Sequence, residues 1–317
     1  MNNKIKIAFF GTPEFAVPTL KALNKADFCD VLKVITQPDK PIGRHHSKLV
    51  ASDVKMVAKE LNIPVSTKPP PSPLLSKGGG ISTESRHPEF ISGSVPMFKK
   101  QTLTRRIGGQ DDKIDLGVLV AYGNIIPKKV IDSFPLGILN IHPSLLPKYR
   151  GSSPIQSVIL NQDKETGITI MKLDNKMDHG PIVAQAIIKL NQTETTGELH
   201  NKLAQIGADL MIKILPDYIA GKIKIKEQDE SKASYTKKLR KQDGKIDFNS
   251  MAQPSEPLIR AMNPWPGAWT QWKGKKIIIW SIKKDGTPNE VQLEGKKKMP
   301  YSEFLKGHPD FKFNGSS

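Results

Sequence analysis

The chain has 317 residues, a formal net charge of +17, a pI of about 9.7 and 37% hydrophobic residues. That length exceeds one typical domain, so two are expected. The single cysteine, Cys29, excludes an intrachain disulfide framework and fits a cytoplasmic protein, and no apolar run approaches the ~20 residues a membrane span needs.

Ile5 to Phe10 reads as a strand, too short for the apolar region of a signal segment. Gly11-Thr12-Pro13-Glu14 is a turn, and Pro18 suits the first turn of a helix to about Lys25. The turn is not G-x-G-x-x-G, which argues against a dinucleotide site. Val31 to Thr36 is a second strand. Val50, Val54, Val57, Ala58 and Leu61 share one helical face, and Ile63 to Val65 is a third strand. Residues 68 to 112 are rich in Pro, Gly, Ser and charge, without period, and read as a disordered insertion. Leu116 to Ala121 is a continuous apolar run, as expected of a parallel strand buried on both faces, and Gly137 to Ile141 follows it. Ile155 to Leu160 reads as helix, then Thr166 to Leu173 and Ile182 to Leu190 as strands. Leu199, Leu203, Ile206, Leu210 and Ile214 mark an amphipathic helix that Pro216 is expected to end.

Strands alternating with helices predict an α/β fold, a Rossmann-like, mostly parallel sheet, over residues 1–215. A polar, Lys-rich linker at 216–230 leads to a second domain at 231–317. There, short strands such as Lys275 to Ser281 and Asn289 to Leu293, with Gly and Pro turns, suggest a small β-barrel. The net charge points to an anionic partner, nucleic acid first. From Gly221 onward 20 Lys and Arg stand against 11 Asp and Glu, so the last third is the more densely positive. Its tryptophans, Trp265, Trp269, Trp272 and Trp280, are read as core in preference to base-stacking platforms. There is no P-loop and no Cys/His spacing that suggests a metal, and His45-His46 reads as part of a solvated basic loop.

The most informative segment is Asn140-Ile-His142-Pro-Ser144-Leu-Leu-Pro147-Lys-Tyr-Arg150-Gly. Residues two apart on a strand share a face, so Asn140 and His142 project together where the strand ends, the place at which open α/β sheets bind ligands. An amide donor can polarise a carbonyl oxygen there, and an imidazole can take a proton from an attacking amine. Taken alone, the same pair is more simply two polar side chains at a strand end.

With Phe10-Gly-Thr-Pro-Glu-Phe15, Gln37-Pro-Asp-Lys-Pro41, Gly43-Arg44, Val120-Ala-Tyr-Gly123, the Asn140–Gly151 segment, Glu165-Thr-Gly-Ile-Thr-Ile-Met171, Met177-Asp-His-Gly180 and Asn263-Pro-Trp-Pro-Gly-Ala268 in this order, the chain resembles the methionyl-tRNA formyltransferases from Lys4 to about Pro309. The resemblance implies transfer of a formyl group from 10-formyltetrahydrofolate to the α-amine of methionine on initiator tRNA, by a cytoplasmic monomer without a metal. It implies that Asn140, His142 and Asp178 are catalytic, that Ser144, Leu145, Leu146 and Pro147, with Val120, Tyr122 and Gly123, bind the folate, and that Arg44 and Lys48 meet the tRNA. It also implies that the C-terminal barrel is OB-like, although this one reads as short. Other readings are a formyltransferase acting on an amino-sugar nucleotide or amino-ribonucleotide, a folate hydrolase in which water replaces the amine, and a catalytically silent RNA-binding relative.

Overall fold

β1 (Ile5–Gly11) sends alternate side chains to the two faces of a sheet: Ile7 and Phe9 enter one hydrophobic cluster, Ala8 and Phe10 the other. The computed structural model describes residues 4–42, 48–67, 114–246 and 255–313; the expected insertion at 68 to 112 lies outside them. α1 (Val17–Lys25), with Pro18 in its first turn, returns the chain to β2 (Cys29–Ile35). A hairpin of β3 (Lys40–Ile42) and β4 (Lys48–Val50) follows, then α2 (Asp53–Glu60), which Ser52 caps by accepting from the Lys55 amide at 3.2 Å. The third strand, β5 (Val65–Ser66), starts two residues later than expected, because Pro64 has no N–H to give to a ladder while its carbonyl accepts from Val34 at 2.9 Å.

β6 (Leu116–Val120) is buried at every position, as its unbroken apolar run requires. α3 (Lys128–Ile131), β7 (Ile138–His142), β8 (Arg150–Gly151), α4 (Pro154–Leu160), β9 (Glu165–Lys172) and β10 (Ile182–Lys189) complete the first half. The seven-stranded sheet has the order β10-β9-β7-β6-β1-β2-β5. Its β7-β6-β1-β2-β5 portion is parallel, while β9 runs antiparallel to both β7 and β10.

α5 (Thr196–Ile219) opens with a capping box: the Thr195 hydroxyl accepts from the Glu198 amide and the Glu198 carboxylate accepts from the Thr195 amide. Leu199, Leu203, Met211 and Leu215 are fully buried on one face, each worth about 1.5–3 kcal/mol. The helix runs past Pro216, where it was expected to stop. Proline removes one donor from a last turn that is otherwise held, by Ala220 N donating to Pro216 O at 3.0 Å and by the Tyr218 hydroxyl donating to Leu136 O at 2.7 Å.

The segment expected as a linker therefore begins as helix and then packs on the first domain. Ile182 and Lys226 exchange two backbone hydrogen bonds, at 2.7 and 2.9 Å, and β11 (Tyr235–Thr236) pairs in parallel with β8. Beyond it, α6 (Ser255–Ala261), β12 (Ala268–Trp272), β13 (Lys275–Ile282), β14 (Pro288–Leu293), β15 (Met299–Pro300) and α7 (Tyr301–Gly307) form the C-terminal unit. Its antiparallel sheet has the order β12-β13-β14-β15, with a single bridge from Lys245 to Trp269. Ile277, Ile279, Val291 and Leu293 are buried on one face. α7 was not expected; Phe304 and Phe311 hold it in an edge-on cluster with Trp272. The unit is tied back to α5 by Thr196 Oγ1 donating to Ala261 O at 2.7 Å and Gly197 N donating to Asn263 O at 3.1 Å.

Candidate active site

Leu139 and Ile141 of β7 belong to the cluster shared with α5, so Asn140 and His142 take the opposite face, with Ile138. Both are 5% exposed. The connection from β9 to β10 folds back over this face, fixed by Leu173 N donating to Ile138 O at 2.8 Å and Lys172 N donating to Pro181 O at 2.9 Å. Gly180 permits this approach: a Cβ there would lie 1.9 Å from Lys172 O.

That fold-back delivers Asp178. Its Oδ1 accepts from Asn140 Nδ2 at 3.4 Å and lies 3.6 Å from His142 Nδ1, and its Oδ2 accepts from the Gly151 amide at 2.8 Å. One carboxylate thus joins the strand, the fold-back and the loop after β7. Gly151 has φ +110°, and a Cβ there would sit 2.6 Å from Thr236 O, so only glycine both offers this amide and pairs with β11. His142 Nε2 lies 3.0 Å from Tyr149 O. A carbonyl can only accept, so Nε2 carries the hydrogen and Nδ1 is the nitrogen left to face Asp178.

The Ser144–Pro147 turn is braced from within. Ser144 Oγ donates to Lys148 O at 2.6 Å. Thr169 Oγ1 donates to Ser144 O at 2.7 Å and accepts from Leu146 N at 3.0 Å, while Gln185 donates to Leu146 O at 2.9 Å. Ser144 and Leu146 are buried by this arrangement, and Leu145 and Pro147 are half-buried and able to present apolar surface. The side chains of Val120 and Tyr122 are buried in the core, at 0% and 2% exposure, with the Tyr122 ring edge-on to Phe10 at 5.7 Å. Of that trio only Gly123 reaches the surface. Arg44 lies outside the described residues, and Lys48 is placed only as the first residue of β4.

Two further groups support the loop. Burial pushes the Tyr149 hydroxyl up to about 12, so it stays protonated while donating to Asp163 at 2.8 Å. Arg150 is fully buried, and Glu230 meets it with a fork, Nη1 to Oε2 at 3.0 Å and Nη2 to Oε1 at 2.6 Å. Hydrogen bonds from Arg150 hold the Glu230 carboxyl below its ordinary value, and the same contacts keep the guanidinium charged. Of the two isoleucines ahead of Gln228, Ile223 packs against the core while Ile225 is exposed, so the sequence carries little sign that this stretch packs. Among the described residues there is no cluster of His, Cys, Asp and Glu able to hold a metal, and no helix long and apolar enough to cross a membrane.

Residues 4–215 match the formyl transferase family and residues 238–290 the formyl transferase C-terminal domain. The chain belongs to the formyl transferase family. Within it, the sequence stands with the methionyl-tRNA formyltransferases. It is 40% identical to that of Chloroflexus aurantiacus over 87% of this chain and 79% of that one, and 34% identical to that of Coxiella burnetii over 96% of each. A solved N-formyltransferase from Helicobacter canadensis, in complex with folinic acid and dTDP-3-aminofucose, shares the fold. It is 19% identical, with a TM-score of 0.59 over 93% of this chain and 98% of that one.

Proposed function

We propose that this protein transfers the formyl group of 10-formyltetrahydrofolate to the α-amine of methionyl-initiator tRNA, in the cytoplasm. The observation that carries the reading is the Asp178 carboxylate set against both the Asn140 amide and the His142 imidazole at the end of β7. The particular acceptor is supported by relatives of that name matched over most of their length, and by the dense positive charge of the C-terminal third.

The folate supplies the formyl carbonyl as an activated acyl group. Asn140 gives one amide hydrogen to Asp178 and keeps the other for the formyl oxygen, where negative charge develops; a donor so placed is worth about 10²–10³ in rate. As the amine nitrogen bonds to the formyl carbon, His142 takes the amine proton at Nδ1, and the resulting cation is held opposite Asp178. The bond from the formyl carbon to the folate nitrogen then breaks, and that nitrogen takes the proton from His142 and leaves as tetrahydrofolate. Asp178 is itself fixed by the Gly151 amide, so little reorganisation accompanies the step. No covalent bond to the protein is needed, and the reading includes a monomeric enzyme. Leu145 and Pro147, half-buried on the loop after β7, offer apolar surface of the kind a flat ring system requires. Arg44 and Lys48 are part of this reading as contacts to the tRNA acceptor end. The test is incubation of the full chain with 10-formyltetrahydrofolate and charged initiator tRNA. Formylmethionyl-tRNA is expected, and its absence with a folded protein would overturn the reading.

A further inference from the structure

Gln228 lies in the segment between the two units, far in sequence from the groups at the end of β7, yet it is 9% exposed and every hydrogen-bonding valence of its carboxamide is used. Nε2 donates to Asp178 O at 2.9 Å and to Gly180 O at 2.7 Å. Oε1 accepts from Arg150 Nε at 3.1 Å and Nη2 at 2.8 Å. Carbonyls only accept and a guanidinium only donates, so the amide has one permitted orientation. It clamps the backbone on both sides of His179. Asp178 needs that clamp, because its φ of +48° is a conformation that residues other than glycine seldom hold without support.

Resting on the formyl-transfer reading, we infer that Gln228 is a positioning residue for Asp178. It fixes the backbone from which the carboxylate reaches Asn140 and His142, and Arg150 fixes Gln228 in turn. Glu230 and the Tyr235 hydroxyl, both hydrogen-bonded to Arg150, anchor the chain from the same segment. Gln228 touches no reacting atom. Its effect arises because a displacement of about 1 Å in a group that guides the chemistry can cost about 10²-fold in rate.

Two substitutions separate positioning from simple support of the fold. Gln228→Glu keeps both acceptor contacts to Arg150 and replaces the two donors with an oxygen that faces carbonyls. Gln228→Met keeps the length and removes the whole fork. The full chain is used, with kcat, the KM for each substrate and the melting temperature measured for both. The unaltered protein must form formylmethionyl-tRNA first; if it does not, the functional reading fails, whatever Gln228 does. Given that activity, kcat should fall by about 10-fold or more in both variants, the range seen when groups that orient a site are removed, with each KM within about twofold. Added to Asp178→Asn, either substitution should change kcat by less than about twofold, because Gln228 acts through that carboxylate. A folded Gln228→Glu protein with near-normal kcat, or losses that multiply with Asp178→Asn, would overturn the inference. If Gln228→Met does not fold, Gln228→Glu alone decides.

Discussion

The end of β7 and the outer face of the C-terminal sheet both gather polar groups, and they hold them in opposite ways. At β7 the groups are few and shielded: Asn140 and His142 are buried and Asp178 partly so, with Asn140 bonded to Asp178, Asp178 to the Gly151 amide and His142 to the Tyr149 carbonyl. On the outer face of β12–β15, lysines lie over half-buried indoles at the edge of solvent. Lys276 Nζ is 4.6 Å from the Trp269 ring and Lys298 Nζ is 3.7 Å from the Trp280 ring. Of the four tryptophans expected in the core, Trp272 packs with Phe304 and Phe311, whereas Trp265 is 52% exposed. Reaction chemistry needs donors that do not reorganise. Holding a polyanion needs charge that can exchange water and counterions for phosphate.

The largest effect should come from emptying the buried region. Asn140→Ala and His142→Ala should each lower kcat by at least about 10²-fold with little change in melting temperature, since each removes an interaction made in the transition state. Near-normal turnover in either variant would detach this site from the reaction. On the solvated face, Lys276→Ala with Lys298→Ala should leave kcat at saturating tRNA nearly unchanged. They should weaken tRNA binding and make its dependence on salt shallower by about 0.9 for each phosphate no longer neutralised. A large fall in kcat with an unchanged salt slope would erase the contrast between the two regions.

Smaller effects probe the anchors. The folded Glu230 carboxyl sits below its ordinary 4.5, so on acidification the unfolded chain takes up the proton first. The stabilisation from its pairing with Arg150 is present above that value and is lost as pH falls through the lower, folded one. The melting-temperature gap between the unaltered protein and Glu230→Gln should therefore close as pH falls below about 4.5. The contribution is small because Glu230 is 56% exposed. The least change is expected at Cys29. It is 2% exposed, its thiol is pushed up to about 11 by burial, and it lies 3.4 Å from the Leu23 carbonyl. The native protein should resist a thiol reagent near neutral pH and react on unfolding; rapid native reaction would show that the β2 edge of the core opens.

What could be read beforehand follows the range of the forces involved. The apolar runs of β1 and β6 reveal buried parallel strands because burial on both faces disfavours polar residues, and in β7 the two-residue spacing alone sets Asn140 beside His142. Asp178 has no such local sign. Its place depends on a fold-back that Gly180 permits and on a left-handed backbone that Gln228 braces from 50 residues away. Lysine content made the stretch after Pro216 look like a free linker, while its packing rests on backbone pairing at Lys226 and at β11 and on the buried Gln228 and Arg150, which composition does not register. Tyr122 illustrates the reverse: a motif position expected at the ligand turns its ring into the core, because the left-handed backbone at Ala121 breaks the alternation of β6 and the adjacent Phe10 offers an apolar berth.

A competition between acceptors measures directly which amine this site serves. The full chain is given one limiting pool of 10-formyltetrahydrofolate together with charged initiator tRNA and an amino-sugar nucleotide, and the destination of the formyl group is followed. Formylmethionyl-tRNA as the dominant product, lost with His142→Ala, is the predicted result. Formylation of the sugar in preference to the tRNA, or tRNA formylation that survives His142→Ala, would contradict the account.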